Sequence, residues 1–174
     1  MKKTDIIEAI IQKLAIPGGR HLYGVLSSYE KLNQFSKVLR QAKTVDGKTF
    51  PVPLNVNMGI LESIPDDEFR QLVENEAKRP EPTVAHVNRA FEKYLRQNLA
   101  GKGLVVLSNL ELLFAYKIEL NLLRTMAADD DRVLLLLPGK RVGTKVHLFH
   151  EAGEVNVMLP INLIAENNLW ELRD

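Results

Sequence analysis

Hydrophobic residues follow two patterns along this chain. In the first, several apolar residues follow one another directly, as in LVVL at 104–107. In the second, apolar residues recur every three or four positions, as with the isoleucines at 6–11. Continuous runs are typical of strands buried on both faces, and the wider spacing is typical of amphipathic helices. The two patterns alternate, which favours a mostly parallel sheet flanked by helices and joined by right-handed crossovers.

The continuous runs predict five strands, at 21–26, 49–56, 104–107, 132–137 and 145–150. The wider spacing predicts helices at 4–14, with Thr4 as its cap, and at 30–42, 65–78, 83–99 and 110–127. Turn and breaker residues predict a turn at 58–64, a linker at 79–82 and a loop at 138–143. Pro51 and Pro53 indicate that the second strand is at an edge of the sheet or is irregular, because proline cannot donate to a neighbouring strand. The last strand follows a short loop and is therefore expected to be antiparallel.

The length suits a single α/β domain over 1–174, with helices on both faces of the sheet. A helix and turn at 1–19 open it, and a segment at 151–174 is expected to clamp an edge of the sheet. The formal net charge is +1, so no bulk attraction to nucleic acid or membrane is expected. There is no cysteine, which excludes disulfides and thiolate metal sites. Acidic and polar residues interrupt the apolar N-terminus, so we expect neither export nor a membrane span, and a cytoplasmic location.

Candidate chemistry lies where the run 104–107 ends, because ligands of α/β sheets bind beyond the carboxyl ends of strands. Ser108, Asn109 and Glu111 follow that run. One interpretation is that Ser108 or Asn109 caps the next helix and Glu111 sits in its first turn, where the helix dipole favours an acid. The other is a remnant of a nucleotide site, in which Glu111 is the general base. Ser108 then occupies the position where P-loop NTPases hold Mg²⁺ with Asp.

The phosphate-binding half of such a site is absent from the sequence. The motif G-x-x-x-x-G-K-[ST] does not occur, and the turn after the first strand, 27–31, has no glycine. Ser28 and Lys31 remain as the groups that would contact an anion at this helix N-terminus, with Lys31 alternatively an ordinary surface residue. No metal site is predicted, since His147 and His150 would point to opposite faces of a strand.

Other charged and aromatic groups are candidates for partner contacts. Lys140 and Arg141, in the predicted loop, could dock an anion or an acidic partner. Arg89, Lys93 and Arg96 form a basic stripe at helical spacing, although no DNA-binding motif or aromatic stacking set accompanies it, so intrinsic DNA contact is not the expected role. Trp170 is either a core residue or an interface anchor.

Three stretches resemble proteins of BREX-type bacteriophage-defence operons. They are LNVN at 54–57, LVVLSNLELLF at 104–114 and the strand ending in Pro-Gly at 134–139. They are similar to stretches of the BrxF proteins, described as P-loop-containing, and the Pro-Gly loop is also similar to that of BrxB proteins. The resemblance implies a P-loop-NTPase-like fold, here without its Walker A loop and with Ser108 in place of Asp.

Two functional hypotheses follow. The favoured one is a non-catalytic interaction or scaffold subunit of an antiviral defence complex, with the other proteins of the operon as partners and no cofactor. The alternative is a weak or partner-completed ATPase that binds ATP and Mg²⁺. In the alternative, Ser28 and Lys31 contact phosphate, Asn109 orients water or Mg²⁺, and Glu111 is the base.

Overall fold

The computed structural model describes residues 1–76, 78–153 and 156–173. Its helices are α1 Lys3–Leu14, α2 Tyr29–Leu39, α3 Val56–Ser63, α4 Asp66–Glu76, α5 Pro80–Asn98, α6 Glu111–Ala115 and α7 Asn121–Met126. Its strands are β1 Leu22–Ser27, β2 Leu54–Asn55, β3 Leu104–Ser108, β4 Arg132–Val142, β5 Lys145–Leu148 and β6 Leu169–Glu171. Short 3₁₀ helices lie at His150–Ala152 and Glu166–Asn168.

Five of the strands form a parallel sheet in the order β2-β3-β4-β1-β6, and β5 pairs antiparallel with β4. The predicted α/β class and mostly parallel sheet are confirmed, with six strands rather than about five. The antiparallel last strand of the prediction, now β5, and the edge position of β2 are also confirmed.

The core lies on both faces of the sheet, as the alternation of side chains along each strand requires. Leu22 and Leu26 of β1 join one buried cluster, which also contains residues of α3, α5, α6 and α7. Tyr23 and Val25, the residues between them, join a second cluster with α1 and α2. The result is three layers, with helices on each side of the sheet.

Several element boundaries differ from the prediction in the first half of the chain. Helix α1 begins at Lys3, and its N-cap is Lys2 without a side-chain bond, so Thr4 is not the cap. Strand β2 has two residues instead of eight, and the predicted turn after it is helix α3. The predicted linker at 79–82 forms the start of α5, where proline fits because the first helical amides need no intrahelical partner.

The long helix predicted at 110–127 is two short helices, α6 and α7. Lys117 takes a left-handed conformation (φ 51°), and the amide of Ile118 donates to the carbonyl of Leu113 at 2.8 Å. This bond closes the end of α6 in the manner of a Schellman motif. The break lets Ile118 and Leu120 turn into the core, where both are buried.

The predicted loop at 138–143 is the second half of β4, which forms a hairpin with β5. Gly139 makes the pairing possible, since a Cβ there would lie 2.4 Å from the carbonyl oxygen of His147. Lys140 and Arg141 therefore lie on a strand and not in a loop. The Pro-Gly pair is accommodated because β4 changes partners there, from β1 on one side to β5 on the other.

Candidate functional site: a polar corner at the carboxyl ends of the strands

Strands β1, β2 and β3 end at the same edge of the sheet, but the chain leaves them toward opposite faces. After β1 it enters α2, which packs on one face, whereas after β2 and β3 it enters α3 and α6 on the other. Such a divergence opens a crevice beyond the carboxyl ends of the strands. The polar residues in this crevice, Tyr29, Asn57, Ser108, Asn109 and Glu111, are called the polar corner below.

Glu111 is at the centre of the polar corner, and both of its carboxylate oxygens accept hydrogen bonds. The hydroxyl of Tyr29, in the first turn of α2, donates to Oε1 at 3.0 Å. The side-chain amide of Asn57, in the first turn of α3, donates to Oε2 at 2.7 Å. Glu111 therefore connects the helices that follow β1, β2 and β3.

Asn57 and Asn109 complete the polar corner through backbone contacts. The side-chain oxygen of Asn57 accepts from the backbone amide of Leu112 at 3.0 Å. The backbone amide of Asn57 donates to the carbonyl of Asn109 at 2.9 Å. Asn109 is left-handed (φ 56°), a conformation that asparagine tolerates better than most residues. Its side-chain oxygen accepts from the hydroxyl of Ser108 at 2.9 Å. The cap predicted for Ser108 or Asn109 is wrong: α6 has Leu110 at its N-cap, with no side-chain bond.

A cavity of about 450 Å³ adjoins the polar corner. Ser108, Asn109 and Glu111 line one side of it. The other side is a face of α2 whose polar members are Tyr29, Asn33, Ser36, Lys37 and Arg40. Leu32, Leu136 and Pro138 supply apolar surface. Lys37 and Arg40 are exposed, so the cavity combines two cations with the hydrogen-bonded carboxylate of Glu111.

The connection between β1 and α2 is a single residue, Ser28. Its hydroxyl oxygen accepts from the amide of Lys31 at 3.3 Å and thereby caps α2. The amino group of Lys31 donates to the carbonyl of Arg173 at 2.8 Å. Neither Ser28 nor Lys31 lines the cavity that Asn109 and Glu111 line.

The C-terminal segment lies beside this connection. The hydroxyl of Ser27 donates to the carbonyl of Leu172 at 2.9 Å, and the amide of Leu172 donates to the carbonyl of Leu26 at 2.8 Å. Together with the bond from Lys31 to Arg173, these contacts hold residues 172–173 against the end of β1 and the first turn of α2. The segment thus occupies the side of α2 that faces away from the cavity.

The residues predicted for partner docking are engaged within the chain, apart from Lys140, which is exposed. The guanidinium of Arg141 donates to Glu166 at 2.6 Å and to the carbonyl of Leu169 at 3.1 Å. Trp170 is 9% exposed and stacks on Tyr23, with ring centroids 6.1 Å apart. Of the two roles considered for Trp170, the structure places it in the core.

Tyr116 and His21, both outside the polar corner, have shifted pKa values. Burial and the hydrogen bond to Glu76 raise the pKa of Tyr116 to about 12. Burial lowers the pKa of His21, which is 2% exposed, and the charge of Arg132 lowers it further. Among residues 1–76, 78–153 and 156–173, no group of three or more His, Asp or Glu side chains is placed to hold a metal ion. In the same residues, no helix has the length and apolar composition to cross a bilayer.

Sequence reasoning placed Ser108, Asn109 and Glu111 at the correct edge of the sheet but missed the residues that face them. Tyr29, Asn33, Ser36 and Arg40 of α2 recur at intervals of three or four, a signal of one helical face that was available in the sequence. The contact between Asn57 and Glu111 joins positions 54 residues apart and has no local signal.

Comparison with known protein families, with curated proteins and with solved structures gives no match.

Proposed function

We propose that the chain is a non-catalytic interaction subunit of a bacterial phage-defence complex of BREX type, built on a degenerate nucleotide-binding fold. The observation that carries this proposal is the single-residue connection between β1 and α2. A phosphate site at this position needs a loop of several residues whose amides curl around the anion. One residue, Ser28, cannot form such a loop.

The groups that remain at this helix N-terminus already have partners. The hydroxyl of Ser28 is bonded to the amide of Lys31, and the amino group of Lys31 is bonded to the carbonyl of Arg173. Placing a phosphate there would require both bonds to break and residues 172–173 to move. These contacts support a role in which the α/β framework presents surfaces to other proteins.

The proposal is tested by co-purification. The affinity-tagged chain is expressed together with its neighbouring genes, and we expect a stable complex with at least one of their products. The variant Glu111→Gln should recover the same complex, since no turnover is needed for assembly. Recovery of the tagged chain as a free monomer would contradict the proposal.

A partner-completed ATPase is the second candidate, and the cavity beside the polar corner favours it. Asn109 and Glu111 line the same cavity, where a bound water would be within reach of a carboxylate base. In this candidate the partner, rather than Lys31, supplies the cation for the phosphates. Adding ATP and Mg²⁺ to the reconstituted complex should then give turnover that Glu111→Gln abolishes. Equal turnover in the wild-type complex and in the complex of the Glu111→Gln variant would exclude Glu111 as the base.

A further inference from the structure

Helix α4 differs from the other described helices of eight or more residues, each of which has at least two buried residues. None of its eleven residues, Asp66–Glu76, is buried. Helices this short gain little stability on their own in water and depend on packing of an apolar face. An unburied amphipathic helix of this kind is therefore a candidate for contact with another molecule.

One line of side chains attaches α4 to the rest of the chain. Glu68 lies 3.9 Å from His86 of α5, and Leu72 packs against the core cluster. Glu76 accepts from the hydroxyl of Tyr116 at 2.7 Å. These three positions are four residues apart, so they define the inner face of the helix.

A second line of side chains faces solvent and is apolar. Phe69 and Val73, also four residues apart, are 42% and 55% exposed. Asp66 precedes Phe69 by three residues and lies on the same side of the helix. On the preceding helix α3, Met58 and Leu61 are 51% and 39% exposed. Single exposed apolar residues are ordinary, but an aromatic and a branched side chain on one helix face form an anchor pair.

The charge around Phe69 and Val73 is negative. The stretch 62–76 contains six acidic residues and one arginine. Two of the acids, Glu68 and Glu76, lie on the inner face, and the other four with the arginine give a net charge of −3 in a chain whose net charge is +1. Such a surface attracts a cationic partner and repels nucleic acid. The negative charge also favours an amphipathic helix whose polar face is basic over one whose polar face is acidic, because only the basic helix is complementary in charge to this surface.

We propose that the outer face of α4, formed by Asp66, Phe69 and Val73, is the docking surface for a basic amphipathic helix of a partner protein. The inference rests on the proposed interaction role and names the chemistry of the partner. The partner helix carries leucine-like residues at intervals of three or four against Phe69 and Val73, flanked by lysine or arginine. Association is therefore weakened by salt.

A model peptide tests this docking directly. The probe is a fluorescein-labelled amphipathic helix of leucine and lysine, and binding to the full chain is followed by anisotropy. We expect saturable binding that is lost for the matched leucine–glutamate peptide. The double variant Phe69→Ser with Val73→Ser should weaken binding roughly tenfold or more, because both anchors are removed. The control Val45→Ser with Val142→Ser changes two residues that are 72% and 52% exposed elsewhere, and it should bind as the wild type does.

Three results would overturn the docking: no binding of the leucine–lysine peptide, equal binding of both peptides, or equal binding by the Phe69/Val73 double variant. Concentration-dependent dimerisation that this variant abolishes would also overturn it, since the occupant would then be a second copy of the chain. The interaction role and the docking on α4 can be contradicted independently. Co-purification with the products of neighbouring genes, without binding of the peptide, would support the interaction role and contradict the docking. Binding of the peptide by a chain that purifies alone would contradict the interaction role.

Discussion

At the scale of single residues, the Glu111 carboxylate joins two side chains of the polar corner that are distant in sequence. It accepts from Tyr29 and Asn57, which are 82 and 54 residues away in sequence. Because both of its oxygens accept such bonds, Glu111 links the carboxyl ends of β1, β2 and β3. Its position at the edge of the sheet could be read from the run that ends at Leu107. Its partners could not, because they are brought together only by the order of the strands.

Glu111→Gln separates a structural from a catalytic role for this carboxylate. Glutamine keeps one acceptor oxygen, but its amide nitrogen can only donate. Either the Asn57 amide loses its acceptor, or the Tyr29 hydroxyl must turn from donor to acceptor. We expect a loss of about 1–2 kcal/mol in the free energy of unfolding, measured by urea denaturation. Ser36→Ala on α2, also at the cavity, serves as the control, with a change within about 0.5 kcal/mol. A fully stable Glu111→Gln variant would mean that these bonds contribute nothing to the fold.

Tyr116 gives a second prediction at this scale, in alkaline solution. Its pKa is raised to about 12 in the folded chain from a usual 10.0, because the phenol is partly buried and donates to the charged Glu76. A raised pKa means that the neutral phenol is favoured by folding. The stabilisation is present below pH 10 and is lost as the pH rises toward 12.

The variant Glu76→Gln removes the negative charge beside Tyr116 and should lower the pKa of the phenol. Tyrosinate absorbance at 295 nm should therefore appear at lower pH in the variant. Between pH 9 and pH 11, the free energy of unfolding should fall more for the wild type than for the variant. The same fall in both proteins would show that Glu76 does not cause the shift.

At the scale of elements, the strands made of continuous apolar runs were predictable, whereas the extent of β2, the existence of β6 and several helix boundaries were not. Strands β1 and β3 match the predicted runs to within a residue, because a continuous apolar run buried on both faces has little alternative. The break between α6 and α7 could not be seen, since the apolar spacing continues through it. The extension of β4 through Pro138 and Gly139 to Val142 was missed because Pro-Gly is typical of loops, and pairing with β5 overrides that preference.

Strand β6 provides the element-scale prediction. Trp170 pairs with Val25 in the register of β1 and β6, and it is 9% exposed. Trp170→Ala should cost about 3–5 kcal/mol of unfolding free energy, because it leaves a cavity beside Tyr23. Trp170→Phe should cost less, as it keeps an aromatic ring there. A loss below about 0.5 kcal/mol for the alanine variant would show that Trp170 is a surface anchor.

At the scale of the whole molecule, the sheet order sets which ends of the chain meet. Strand β6 lies beside β1, so the C-terminal residues reach the place where the first strand turns into α2. Gly24 allows this approach, since a Cβ there would lie 2.8 Å from the side chain of Leu169. The sequence predicted that a C-terminal segment lies against an edge of the sheet. It did not predict that the carbonyl of Arg173 in this segment accepts a hydrogen bond from the amino group of Lys31. That contact depends on the sheet order, which the apolar pattern leaves open.

The central claim is that the single-residue connection between β1 and α2 leaves no phosphate-binding loop. Its most direct test is nucleotide binding by the purified chain. The melting temperature is measured with and without 1 mM ATP and Mg²⁺, a concentration of about 100 times the dissociation constant of a ~10 µM site. Such a site would add about 2.7 kcal/mol by mass action, a rise of several degrees for a chain of this size. We predict no rise beyond that given by 1 mM tripolyphosphate with Mg²⁺, because a single residue between β1 and α2 leaves no loop to hold phosphate. A nucleotide-specific rise of several degrees would contradict it.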